Sequence, residues 1–209
     1  MLRGKFIVLE GGEGSGKDTQ VDRLKERYAG DDSIVFTREP GGTGMGEKIR
    51  SLLLSPDSKD MTVRTELLLF LAARAQLVEQ VIHPALEAGK TVISNRFALS
   101  TIAYQIYGRD RHEYLPLLQE VGEFVMNNCT PDAYLVLDVT PEVGLERVAK
   151  RNDGLTRFDA ETLGFHRRVR EGYLKHAAIG RYHKVISADV SLGEVSKRVD
   201  EEVAYILGT

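Results

Sequence analysis

The segment FIVLEGGEGSGKDTQ, residues 6–20, carries the spacing with the clearest chemical meaning: Gly11, four residues, Gly16 and then Lys17. Glycines so spaced let a backbone turn its N–H groups inward around phosphate oxygens. A helix start behind them adds the positive end of its dipole, and Lys17 adds a mobile positive charge. The string alone is moderate evidence, since a shuffled chain of this composition would contain it roughly one time in ten. The apolar run before it and the helical spacing after it supply the context that a phosphate-binding loop requires. The competing reading is a Gly-rich turn with no ligand and an exposed lysine, which leaves the weakening effect of so many glycines without a purpose. Phosphate binding then falls to Gly11, Gly12, Glu13, Gly14, Ser15, Gly16 and Lys17, joined by Asp18 and Thr19 at the helix start. Position 18 departs from the pattern, in which a Ser or Thr hydroxyl follows the lysine and helps to hold Mg2+. Asp18 either faces solvent in the first helical turn, where negative charge is favoured, or takes part in metal binding.

A second constellation lies in the apolar stretch around Leu67 to Ala75. Phe70 and Arg74 are four residues apart in a helical pattern, so they project from one face as a stacking ring beside a hydrogen-bonding guanidinium. Phe70 alone reads equally as core, whereas Arg74 inside an apolar helix calls for a partner, because an unpaired buried charge is costly.

The elements that must position these residues follow from periodicity. Short apolar, β-branched runs at 6–9, 34–36, 91–93, 134–137 and 185–186 read as buried strands. Helical spacing covers 17–28, 45–54, 63–87, 97–106, 113–127, 141–150, 159–176 and 192–207, with Pro84 expected to kink or end the third. The alternation predicts an α/β fold with a parallel sheet flanked by helices. In such sheets ligands bind beyond the carboxyl ends of the strands. The polar residues there are Glu10, Thr37, Arg38 and Glu39, then Ser94, Asn95 and Arg96, and finally Asp138, all expected to converge on one site.

The chain has 209 residues, 42% of them hydrophobic, in keeping with a single domain over 1–209 that has a sizeable core. Its 28 Lys and Arg against 31 Asp and Glu give a net charge of −3, so no global field favours nucleic acid or a membrane surface. Cys129 is the single cysteine and the first residues lack a signal-peptide pattern, which makes the cytoplasm the expected compartment. No apolar run approaches the roughly 20 residues of a membrane span. The polar stretch 151–157 reads as a mobile surface loop.

The chain resembles the thymidylate kinase family through LEGGEGSGKDTQ, TREPGGTGMGEKIR, LLLFLAARAQL, SNRFALSTIAYQ, PDAYLVLDVTPEVGLERV and RNDGLTRFD, in that order. The resemblance implies a P-loop NTPase-type three-layer fold with a five-stranded parallel sheet and a mobile lid at about 151–158. It implies Mg2+ and ATP as cofactors, dTMP as acceptor, transfer of the ATP γ-phosphate to give dTDP in dTTP synthesis, and a homodimer. By the family pattern Phe70 stacks on thymine and Arg74 bonds its carbonyl edge. The pattern gives Arg96 the acceptor phosphate, which Arg38 at a neighbouring strand end is also suited to grip through its guanidinium, and it places Ser100, Thr101, Tyr104 and Gln105 around base and sugar. Glu13 resembles the family acid that meets the sugar 3′-hydroxyl, and Pro40 after Glu39 is a candidate cis turn.

Phosphoryl transfer needs an arginine at the moving group, and the loop itself has none between Gly12 and Ser15. The pattern therefore assigns catalysis to Lys17, Arg96, Glu13 and the lid residue Arg157, with Arg151 reaching phosphates and Arg147 near adenine. Two departures stand out. Asp18 replaces the metal-binding hydroxyl, and Asn95 stands where the family has Asp, binding the metal directly or through water. We expect the two to compensate, with Asp18 restoring the missing carboxylate. The alternatives are a kinase for another nucleoside monophosphate, and a nucleotide-binding regulator that has lost catalysis.

Overall fold

The computed structural model describes residues 4–150, 156–178 and 180–208. Its centre is a five-stranded, all-parallel sheet of β1 (Phe6–Gly11), β2 (Ile34–Arg38), β3 (Thr91–Asn95), β4 (Ala133–Asp138) and β5 (Tyr182–Ser187) in the order β2-β3-β1-β4-β5. In β1 every residue is buried, as an apolar run enclosed on both sides requires. Its side chains alternate between two cores. Phe6 and Val8 join Leu77, Phe97, Phe165 and Tyr173, while Ile7 and Leu9 join Val21, Leu24, Val199 and Val203. Helices therefore cover both faces, α1 (Lys17–Arg27) and α9 (Leu192–Leu207) on one and α3 (Val63–Leu77) and α8 (Leu163–His176) on the other. A smaller cluster joins α3 to α6 (Leu115–Met126) through Leu67, Leu71, Leu118 and Val125.

The central position of β1 has a functional consequence. Chain leaving β1 returns at one edge of the sheet, whereas chain leaving β3 crosses to the opposite side, so the crevice at the carboxyl end of β1 is open to a ligand.

Several elements depart from expectation. The fifth strand is longer than its apolar pair suggested and is an edge strand: His183, Lys184 and Val185 are exposed, and only Ile186 is buried. The expected helix 63–87 is α3, a π turn at Val78–Ile82 and α4 (His83–Glu87). The wider turn just before Pro84 accommodates its missing N–H, so the helix continues through the proline. The expected helix 97–106 is a short α5 (Ala98–Thr101) running into a second π turn at Ile102–Gly108. The expected helix 159–176 starts four residues later, because the Thr162 side chain accepts from Phe165 N and caps it there. α2 (Gly44–Leu54) is capped in the same way by Thr43, and α7 (Pro141–Ala149) starts with proline in its first turn. Among the described residues, no helix is long and apolar enough to cross a membrane.

Candidate functional site

The loop from Gly11 to Gly16 leaves β1 and turns directly into α1. Gly16 occupies the N-cap position with φ 83, a left-handed conformation that glycine adopts without strain, and α1 has no side-chain cap. The first N–H groups of α1 are thus left to a ligand. Gly14 has a different reason. A Cβ there would lie 2.1 Å from the carbonyl oxygen of Gly144 in α7, and a Cβ on Gly144 would lie 2.3 Å from the carbonyl oxygen of Glu13. Lys17 is 4% exposed, and its Nζ donates to Gly12 O at 3.2 Å. Burial, and then the Arg96 charge, lower its pKa. Ser15 Oγ is buried without a hydrogen-bond partner among the described residues.

Arg96 joins this loop to the rest of the cleft. Its backbone sits at φ 71, a conformation that disfavours non-glycine residues and is characteristic of functional positions. The guanidinium donates to Gly11 O at 2.9 Å, Tyr173 OH at 2.8 Å, Glu13 Oε1 at 3.0 Å and Tyr104 OH at 3.1 Å. Tyr104 donates in turn to Glu13 Oε1 at 2.7 Å. Burial pushes the Glu13 carboxyl up, but Lys17, Arg96 and the Tyr104 bond outweigh it and bring the pKa down to about 2. Behind them, Glu10 is fully buried. It accepts from the backbone N–H groups of Phe97 and Ser100 and from the Ser100 and Tyr173 hydroxyls, which fixes the turn that carries Arg96.

Beyond Arg96 opens a cleft of about 980 Å³, lined by Lys17, Asp18, Arg38, Phe70, Arg74, Asn95, Arg96, Ser100, Thr101, Tyr104 and Gln105 among others. The structure therefore gathers the sequence-predicted acceptor residues in one cleft. Arg74 is held by Glu39 through Nε at 2.9 Å and Nη2 at 2.7 Å, and it donates to Thr101 Oγ1 at 2.7 Å. Both partners of this ion pair are nearly inaccessible, with side chains 2% and 5% exposed. The Glu39-Pro40 bond is cis. Gln105 Nε2 donates to Glu66 at 2.9 Å, and the Phe70 ring lies 6.2 Å from that of Phe158. Arg38 reaches the cleft paired with Glu47 at 3.0 Å, and Arg50, beside it, donates to Pro40 O at 2.8 Å.

Other predicted positions fall elsewhere. Arg157 is not at the phosphate loop. It pairs with Glu66 at 2.7 Å, donates to Leu53 O and lies over Phe158, so a buried carboxylate on α3 holds it away from the cleft. With it, residues 156–158 are packed against the body of the protein rather than standing free as a lid, and Phe158 is buried. Arg151 and the rest of the expected lid, 151–155, lie outside the described residues. Arg147 braces the loop from outside, donating to Gly14 O at 3.2 Å and Ala188 O at 3.0 Å. Asp138 does not converge on the cleft either. Arg170 takes both its oxygens at 2.7 and 2.9 Å, in a separate small recess behind Glu13.

Asp18 and Asn95 meet across the strand ends, Asn95 Nδ2 donating to Asp18 Oδ1. Asn95 Oδ1 is buried with no partner among the described residues. A carboxylate beside an unused amide oxygen presents acceptors to the water shell of a divalent cation, so these residues fit Mg2+ arriving with nucleotide phosphates. Among the described residues, no group of three or more His, Cys, Asp or Glu is arranged to hold a metal by itself.

Sequence reasoning missed Glu66, Arg50, Phe158 and Tyr173. Glu10 was expected at the site as a polar strand-end residue, but not as the buried acceptor that fixes the Arg96 turn. For Glu66, in the first turn of α3, and Tyr173, on α8, no local signal separates a buried partner from a solvated side chain.

The thymidylate kinase family model matches residues 9–199. A thymidylate kinase of Marinomonas sp. (strain MWYL1) is 44% identical over 208 residues, covering 98% of this chain and 96% of the relative. One of Oleidesulfovibrio alaskensis is 45% identical over 209 residues, covering 96% and 98%. The crystal structure of thymidylate kinase from Ehrlichia chaffeensis superposes with a TM-score of 0.75 at 31% identity, over 96% of this chain and 99% of that one.

Proposed function

The chain belongs to the thymidylate kinase family, and on that footing we propose that it transfers the γ-phosphoryl group of ATP to dTMP, yielding ADP and dTDP for dTTP synthesis. The observation that carries this reading is the Arg96–Glu13–Tyr104 group, which joins a phosphate loop to a pocket with an aromatic ring and a guanidinium suited to a pyrimidine. An oxygen of the dTMP phosphate attacks the γ-phosphorus while the bond to the β-bridging oxygen breaks and ADP leaves. The backbone of residues 11–17, with Thr19 on the first turn of α1, cradles the ATP phosphates. Lys17 leaves Gly12 O to follow the γ-phosphate. Arg96 and Arg38 hold the acceptor phosphate, and Glu13 faces the sugar 3′-hydroxyl. Phe70 stacks on the base, Arg74 and Gln105 read its edge, and Ser100, Thr101 and Tyr104 close the pocket around base and sugar. Mg2+, when bound, neutralises phosphate charge, with Asp18 and Asn95 accepting from its water shell. With Arg157 engaged by Glu66, positive charge at the moving group rests on Lys17, Arg96 and Arg151.

The same reading carries a homodimer, supported by Leu68, Leu117 and Phe124, which are 58%, 51% and 83% exposed on α3 and α6. A sizing measurement showing only monomer overturns that part. The kinase itself is tested by coupled ADP release across the nucleoside monophosphates with Mg2+. Preference for dTMP is expected. Preference for another acceptor would assign the chain to a different monophosphate, and tight ATP binding without turnover would make it a regulator.

A further inference from the structure

Glu66 sits in the first turn of α3, where a carboxylate ordinarily reads as a solvated residue favoured by the helix dipole. Here its side chain is 1% exposed and does not line the cleft. It accepts from Gln105 Nε2 at 2.9 Å, from Arg109 Nη2 at 3.0 Å and from Arg157 Nη2 at 2.7 Å. A buried carboxylate with two arginines and an amide is costly to assemble and far more costly to disrupt. Its partners divide between the two parts of the pocket. Gln105 belongs to the wall that meets the base, whereas Arg109 and Arg157 flank the Phe158 ring at 5.6 and 4.6 Å, and Phe158 faces Phe70 and Tyr104 as the roof.

We propose that Glu66 is a positioning residue that sets acceptor selectivity from outside the cleft, by fixing which end of the Gln105 amide a base meets. The inference rests on the dTMP kinase reading. A carboxylate can only accept, so the amide atom that faces it must be the NH2 group, and the carbonyl oxygen is left as the group available to a ligand. Thymine and uracil present N3–H, a donor that matches that oxygen. Cytosine presents a bare N3, an acceptor that opposes it. Arg74, a donor already oriented by Glu39, matches the neighbouring carbonyl, so the pair reads acceptor and donor in sequence along one base edge. Through Arg157 and Arg109, the same carboxylate also holds the Phe158 ring in place.

The test is Glu66→Gln, whose amide can meet Gln105 with either end and so frees it to turn. Expected is a roughly tenfold loss in the ratio of kcat/KM for dTMP over dCMP, with KM for dTMP raised and KM for ATP unchanged. Glu66→Asp keeps an acceptor-only group and retains the wild-type ratio even if both constants worsen. A folded Glu66→Gln protein with the wild-type ratio overturns the proposal, as does Glu66→Asp losing selectivity to the same extent. Should Glu66→Gln fail to fold, the wild-type protein still decides. The Gln105 side-chain NH2, assigned by its absence in Gln105→Met, must exchange with solvent at least about tenfold more slowly than a free amide and stay protected at saturating dTMP. Exchange at the free rate overturns the assignment. The amide measurement does not depend on the acceptor, whereas failure of the kinase reading would show in the wild-type acceptor panel.

Discussion

Along the base-facing wall of the cleft, Arg74 meets Glu39 and Thr101, Gln105 meets Glu66, and Tyr104 meets Glu13. In the phosphate loop and beside it, Ser15 Oγ and Asn95 Oδ1 have no partner among the described residues, and Lys17 folds back onto Gly12 O. Thr37 Oγ1, at the cleft edge, also has no partner among the described residues. The contrast teaches where binding energy goes. On the proposed function, the pocket around Arg74 is preorganised by buried ion pairs and would receive a base with little rearrangement, while the phosphate loop would be completed by its ligand.

Lys17→Ala breaks the contrast most visibly. The turnover number should fall about 10⁴-fold, in the range found for charge stabilisers of phosphoryl transfer, while the empty protein remains at least as stable, because burial already disfavours the lysine charge. Kinetics and a urea titration check the two halves. On the base-facing side the expectation reverses: Glu39→Ala leaves Arg74 buried without its anion and should cost about 3–4 kcal/mol of stability. A loss under 1 kcal/mol by denaturant unfolding would mean that this wall is not the rigid half.

Glu13 lies at the seam. Its folded pKa, about 2, is depressed below the ordinary carboxylate value, so its contribution to stability is full above that value and is lost as pH falls toward 2. By pH 3 the wild-type protein should lose on the order of 1–2 kcal/mol that Glu13→Gln does not lose. Matching acid-unfolding curves would show that Lys17 and Arg96 do not hold its charge. The smallest effect is expected at the metal side. Asp18→Ser should weaken Mg2+ activation, Asn95→Asp should restore it, and a double-mutant cycle should give a coupling of about 1 kcal/mol. Additive changes would remove the compensation between the two positions.

Much of this was legible in the sequence because it is written locally. The order of apolar runs implied the parallel sheet, and the spacing of Gly11, Gly16 and Lys17 between a strand and a helix located the loop. Phe70 and Arg74 were placed together by helical period. Expectation and structure diverge where partners are distant in sequence. Arg157, expected at the phosphates, is paired with Glu66, which nothing local marks as buried, and Asp138, expected at the cleft, is paired with Arg170, 32 positions away. Tyr104 and Gln105 sit in a π turn, whose wider period is masked by that of the α-helix.

The contact between Gly14 and Gly144 ties the loop to a helix more than a hundred residues further along the chain. A search that scores the glycine motif alone stops at Lys17, yet the curve of the loop has a second author in α7. Substitution at position 144 should be as damaging to nucleotide binding as substitution at position 14, although no phosphate-binding signature includes it. The motif is in effect split, with its last glycine written in another part of the sequence.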